Sequence, residues 1–215
     1  MTSVLRAGPV PAQARLTTIL VHGRGASAAD IITLAPEIGV DDVAFVAPDA
    51  PDRTWYPYSF LVPMERNEPH LSRSLAILAR LVDELEQQGI DRRRLALAGF
   101  SQGACLSLEF AARHASRFAA IIAFSGGLIG PPETPRDYPG SFDGTPVFIG
   151  CSDVDPHIPV ERVRESTLVL RRMGAVVDER IYPGMGHTIA PDEIDAASAL
   201  LRGATARDPG RRQER

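Results

Sequence analysis

The chain has 215 residues, 44% of them hydrophobic, and a formal charge of −4. That length suits one domain with a full core and leaves little room for a second. The charge gives no pull toward nucleic acid or an anionic membrane, no run is long enough to span a bilayer, and the start, Met1 to Pro9, lacks the sustained apolar stretch of a signal peptide.

Residues up to about Arg15, with Gly8, Pro9 and Pro11, read as a loose lead-in. Leu16–Val21 is rich in β-branched residues and predicts a strand. It runs into His22-Gly23-Arg24-Gly25, after which 26–37 reads as a helix. Val43–Val46 predicts a second strand, closed by Pro48-Asp49-Ala50-Pro51 and followed by a loop holding Trp55, Tyr56, Tyr58 and Phe60. Between His70 and Gln88, Leu71, Leu75, Leu78, Val82 and Leu85 recur at helical spacing, and Gly89 ends that helix. A strand over 94–98 leads to Gly99-Phe100-Ser101-Gln102-Gly103, and a helix over 104–112 follows. Ala119–Phe124 is a strand, and 130–145 is a Pro- and Gly-rich excursion. Pro146–Gly150 is a further strand, entering Ser152-Asp153-Val154-Asp155-Pro156. A helix over 160–173, a strand over 177–182, a loop with His187 and a helix over 192–202 complete the pattern. The last residues carry Arg207, Arg211, Arg212 and Arg215, and 204–215 is expected to be a disordered basic tail after a single domain over 1–203.

Strands alternating with helices imply a mostly parallel sheet covered on both faces. In such sheets the functional residues gather on loops at the C-terminal ends of strands. His22-Gly23, Ser101, Asp155 and His187 each follow a predicted strand, so all four are expected on one edge.

G-x-S-x-G between a strand and a helix is the setting of a nucleophile elbow, in which a tight turn presents a serine at the sheet edge. A serine hydroxyl needs an adjacent base, commonly an imidazole oriented by a carboxylate. In this setting the chain order is serine, acid, histidine. His187 is the one histidine placed to be that base. His70 begins a helix and His114 ends one, where a cation suits the dipole; His157 lies near the acid loop, where it reads as a surface residue, with lining the mouth of the site as the alternative. Asp153 and Asp155 both stand where the acid belongs, and composition does not separate them. Position gives a small edge to Asp155, which Pro156 biases toward an extended backbone.

An acyl-transfer site also needs two donors aimed at the oxygen that becomes charged. One is the backbone N–H after the nucleophile, here Gln102, and the other comes from an earlier strand-end loop, here Arg24 between two glycines. The aromatic loop, with Trp55, Tyr56 and Phe60, is expected to wall a substrate pocket; simple packing onto the body is the alternative. Cys105 and Cys151 lie in apolar runs, Cys105 inside a helix as a core residue, so neither a disulfide nor a zinc site is expected. No metal and no cofactor are required by this chemistry.

Taken together, His22-Gly23-Arg24-Gly25, Pro48-Asp49-Ala50-Pro51 with Trp55, Gly99-Phe100-Ser101-Gln102-Gly103, Asp153-Val154-Asp155-Pro156-His157-Ile158-Pro159 and Gly184-Met185-Gly186-His187 resemble the phospholipase/carboxylesterase family, which includes the acyl-protein thioesterases. The resemblance implies an α/β-hydrolase fold without a large cap domain and a triad of Ser101, Asp155 and His187. It also implies oxyanion N–H groups from Arg24 and Gln102, and raises Asp155 over Asp153. Its activity would be ester hydrolysis through an acyl-enzyme. Thioester, lysophospholipid or dienelactone-type lactone cleavage, or a non-catalytic binding role, are the alternatives. A small-molecule ester or thioester as partner, no nucleic acid, a cytoplasmic location and a homodimer are the accompanying expectations. Arg24, Ala26 and Ala104 depart from the family pattern, which often has an apolar residue, Asp and Gly at these places.

Overall fold

A computed structural model describes residues 3–204. The expected tail lies outside these residues, apart from Ala204. Seven strands form one sheet: β1 (Val4–Ala7), β2 (Leu16–Val21), β3 (Val43–Pro48), β4 (Leu95–Phe100), β5 (Ala120–Phe124), β6 (Pro146–Ser152) and β7 (Val176–Tyr182), in the order β1-β3-β2-β4-β5-β6-β7. Every pairing is parallel except that of β1 with β3.

Among the described residues the α-helices are α1 (Ala28–Ile31), α2 (Leu34–Ile38), α3 (His70–Gln87), α4 (Gln102–Arg113), α5 (Val160–Arg172) and α6 (Pro191–Gly203). Side chains alternate across each strand, which divides the core in two. Ile19, Val21, Leu97, Ile121, Val147 and Ile149 pack with the apolar stripes of α3, α4 and α5. Leu16, Leu20, Ala96, Ala98, Ile122 and Phe148 pack with α1, α2 and α6. Strands buried on both faces read as near-continuous apolar runs because neither face meets water. The architecture is the expected α/β-hydrolase sheet with helices on both faces.

Two local features differ from the sequence expectation. The lead-in contains β1, an antiparallel edge strand registered Val4 on Pro48 and Ala7 on Phe45. The helix expected over 26–37 is two short helices, broken at Ile32 and Thr33. Pro36 explains the break: it has no N–H to donate to Ile32, and its ring would strike that carbonyl in a continuous helix. Ser27 caps α1, its side chain accepting from Asp30 N–H, and Gly39, at φ 61°, closes α2.

Strand order places the loops after β2 and β3 on one side of β4 and the loops after β6 and β7 on the other. The chain turns from β2 outward to β3, then crosses back to β4. That reversal opens a crevice at the carboxyl edge between β2 and β4.

Candidate active site

Ser101 sits at the crevice with φ 55° and ψ −120°, a conformation that L-residues rarely adopt. Strain of this kind costs on the order of 1–3 kcal/mol and persists only where the surroundings hold it. Here Ser101 N–H donates to Phe124 O of β5 at 2.9 Å, and Ser101 O accepts from Cys105 N–H at 3.0 Å in the first turn of α4. The flanking glycines are demanded by crowding. A Cβ on Gly99 would lie 2.5 Å from the Gly103 carbonyl, and one on Gly103 would run into the Val21 carbonyl. Ala104, where the family pattern often has glycine, is accommodated because Gly126 opposite it has no side chain; a Cβ there would lie 2.5 Å from that of Ala104.

His187, from the loop after β7, places Nε2 2.8 Å from Ser101 Oγ. Its Nδ1 is 2.6 Å from Asp155 Oδ2. An ionised carboxylate only accepts, so Nδ1 carries the proton and Nε2 is left to accept from the serine hydroxyl. The Asp155 side chain is fully buried, and its Oδ1 accepts from the N–H groups of His157 at 2.8 Å and Ile158 at 3.0 Å. Burial works to raise this carboxyl's pKa, but the bonds from His187, His157 and Ile158 together outweigh it and hold the group below the usual carboxylate range. Asp153 points elsewhere: its Oδ1 accepts from Gly184 N–H at 2.8 Å and fastens the turn that carries His187. Thus Ser101, His187 and Asp155 form one hydrogen-bonded chain, and Asp153 braces the loop beside it.

On the other side of Ser101 lies the loop 22–25. Gly23 lies against the elbow, where a Cβ would stand 3.3 Å from the Phe100 ring and 3.5 Å from the Cβ of Ser101. Among the described residues, no acceptor engages the backbone N–H of Arg24 or Gln102. Gly25, at φ 78°, donates to Arg53 O at 2.7 Å, which sets the turn behind Arg24. His22 is fully buried, its Nε2 accepting from Ala50 N–H at 3.0 Å and its Nδ1 2.7 Å from Gly23 O. Burial lowers the pKa of this imidazole and keeps the ring neutral.

The cavity at Ser101 has a volume of about 590 Å³. Tyr56, Tyr58, Phe60 and Phe100 line it, with Arg24, His157 and His187 at its polar edge. Trp55, expected in the wall, stands behind it. The indole is buried against the His22 ring, Nε1 donates to His22 O at 2.8 Å, and the backbone N–H donates to Gln102 Oε1 at 3.0 Å. The Gln102 side chain has a use that its position in the pentapeptide did not suggest, because Nε2 also donates to Tyr56 O at 2.8 Å and so clamps 55–56 to the elbow.

His157, read from sequence as a surface residue, is exposed but also lines the cavity, its ring edge-on to His187 at 4.8 Å. Cys105 is buried in α4 as expected and forms part of the cavity floor, where burial pushes its thiol up to about 12. His114 ends α4, but burial together with Arg92 and Arg113 holds its pKa down and favours the neutral ring over a dipole-compensating cation.

A family model described as phospholipase/carboxylesterase matches residues 7–204. The chain belongs to that family. It is an esterase-type serine hydrolase. A crystal structure of a phospholipase/carboxylesterase from Dyadobacter fermentans is 43% identical, superposes with a TM-score of 0.90, and is matched over 94% of this chain and 97% of its own. The structure of esterase PE8 is 29% identical with a TM-score of 0.76, covering 94% of this chain and 99% of that one. Acyl-protein thioesterase 1 of Gibberella zeae is 29% identical over 90% of this chain and 92% of its own length. Among the described residues no helix is long and apolar enough to cross a membrane.

Proposed function

We propose that this family member hydrolyses carboxylic esters through an acyl-enzyme on Ser101. The observation that carries the proposal is the chain Ser101 Oγ, His187 Nε2, His187 Nδ1, Asp155 Oδ2, with links of 2.8 and 2.6 Å between residues from three separate strand ends. His187 takes the serine proton as Oγ bonds to the substrate carbonyl carbon, and the carbonyl electrons move onto oxygen. The N–H groups of Arg24 and Gln102 receive that oxyanion. The carbonyl re-forms as the bond to the alcohol oxygen breaks, and His187 returns its proton to that oxygen. Water then repeats the sequence on the acyl-serine, releasing the acid and restoring Ser101. Asp155 holds the ring's tautomer and stabilises the imidazolium, without itself being protonated.

Ser101→Ala is expected to abolish turnover of p-nitrophenyl esters while the protein stays folded. Near-normal turnover in that variant would remove the proposal. A second reading, acyl-protein thioesterase activity, is favoured by the relative from Gibberella zeae. Comparing kcat/KM for matched oxoesters and thioesters separates the two.

A further inference from the structure

The side chain of Arg24 is not needed for a backbone oxyanion donor, yet it is not idle. Its guanidinium reaches across the cavity mouth, Nη1 donating to Pro57 O at 2.8 Å and Nη2 to Tyr58 O at 2.7 Å. Its Cζ stands 5.9 Å from the centroid of the Tyr56 ring. The planar fork of arginine suits two carbonyls at once, which a lysine ammonium on a flexible stem does not reproduce. The segment it grips, 57–59, is an exposed rim strung between buried Trp55-Tyr56 and buried Phe60. From the body side the rim is held separately by Asn67, whose Oδ1 accepts from Tyr58 N–H at 2.9 Å and whose Nδ2 donates to Ser59 O at 3.1 Å. Loss of the Arg24 grip therefore frees one side of the rim and leaves the other anchored.

Which part of a substrate meets this rim follows from the strand order, given the proposed ester chemistry on which this inference rests. His187 must reach the leaving oxygen, so the alcohol lies toward the loops after β6 and β7, beside His157. The acyl group lies on the other side of Ser101, toward the loops after β2 and β3, where Tyr56, Tyr58 and Phe60 line the cavity. We propose that Arg24 is a specificity-determining residue that limits acyl size. Its side chain ties the acyl-side rim to the loop presenting its own N–H to the oxyanion. An acyl group too large for the closed rim must then displace the donor as well as the wall, and poor fit is felt in kcat and not only in KM.

The test is the acyl-length profile of kcat and KM for p-nitrophenyl acetate through decanoate, in wild type, Arg24→Leu and Arg24→Lys. The expected result is that the octanoate-to-acetate ratio of kcat/KM rises by about fivefold or more in Arg24→Leu, a size within what one pocket contact discriminates. Part of that rise should come from kcat, and Arg24→Lys should shift less. Ratios unchanged from wild type, or an equal loss at every chain length, overturn the proposal. Melting curves run alongside show whether each variant is folded; if the leucine variant is not, Arg24→Gln carries the same comparison. Residual turnover in Ser101→Ala would strike the catalytic reading instead, whatever the Arg24 profiles show.

Discussion

Asp153 and Asp155 are two residues apart and chemically alike, yet the fold gives them different work. Asp155 is buried against His187, whereas Asp153 is exposed and caps the Gly184 turn. Asp155→Asn is expected to lower kcat/KM for p-nitrophenyl acetate by about 10⁴-fold, because the amide favours the wrong imidazole tautomer. Asp153→Asn keeps an oxygen for Gly184 N–H and should cost less than about tenfold; steady-state kinetics on both variants decides, and the reverse order would exchange the two roles. What could be read from the residues alone was that both stand on the acid loop, with Pro156 giving Asp155 a small edge that the family resemblance enlarged. What decides between them is which carboxylate reaches an imidazole 32 positions away, and composition carries no trace of that. The same holds for Trp55 and Gln102. Their presence near the site was legible, but the direction each side chain takes is set by neighbours from other strands.

At the scale of elements, the strand, elbow and helix from Leu95 to Arg113 form a tightly constrained unit. Gly103→Ala is expected to destabilise the protein by several kcal/mol, since a Cβ there meets the carbonyls of both Val21 and His22 and backbone cannot yield as a side chain can. Thermal denaturation measures it, and a melting temperature equal to wild type would contradict the packing described. Gln102→Leu should cost about 1–3 kcal/mol for each buried backbone group it strands at Trp55 and Tyr56. It should also reduce kcat, because the clamp that it removes holds the loop over the cavity. The elbow was visible in sequence because its physics is local: a glycine is needed wherever backbone meets backbone. The split between α1 and α2 was also written there, in Pro36, though the apolar pattern of 26–37 masks it. β1 was not legible, since four half-exposed residues before a glycine and a proline have no period to detect, and only pairing with β3 makes them a strand.

For the whole molecule, one buried group that ties stability to pH is Glu193, in the first turn of α6. Its Oε2 accepts from Ala190 N–H at 2.7 Å, while Oε1 has no partner among the described residues and lies against Gly150. Burial, reinforced by Asp192 and only partly offset by the Ala190 N–H, raises its pKa to about 7. A carboxyl whose folded pKa is raised binds its proton more tightly in the native state. Its contribution is therefore most favourable below the unfolded value and is lost as pH rises from about 4.5 to about 7. The loss amounts to about 3 kcal/mol at most. Glu193→Gln should flatten that part of the stability profile in urea melts between pH 5 and 8; an unchanged slope would contradict it. His22 works in the opposite sense: its lowered pKa makes stability fall as pH drops below about 6.5.

The parallel sheet and the placement of strand-end loops on one edge followed from the alternation of strand and helix, and that edge is where Ser101, Asp155 and His187 meet. The most direct measurement is mass spectrometry of the intact protein and its peptides after exposure to a fluorophosphonate. One adduct per chain is expected, carried on the peptide containing Ser101, absent from Ser101→Ala and formed far more slowly in His187→Ala. A folded, ester-hydrolysing wild type that takes no label, or one labelled equally after Ser101→Ala, would contradict it.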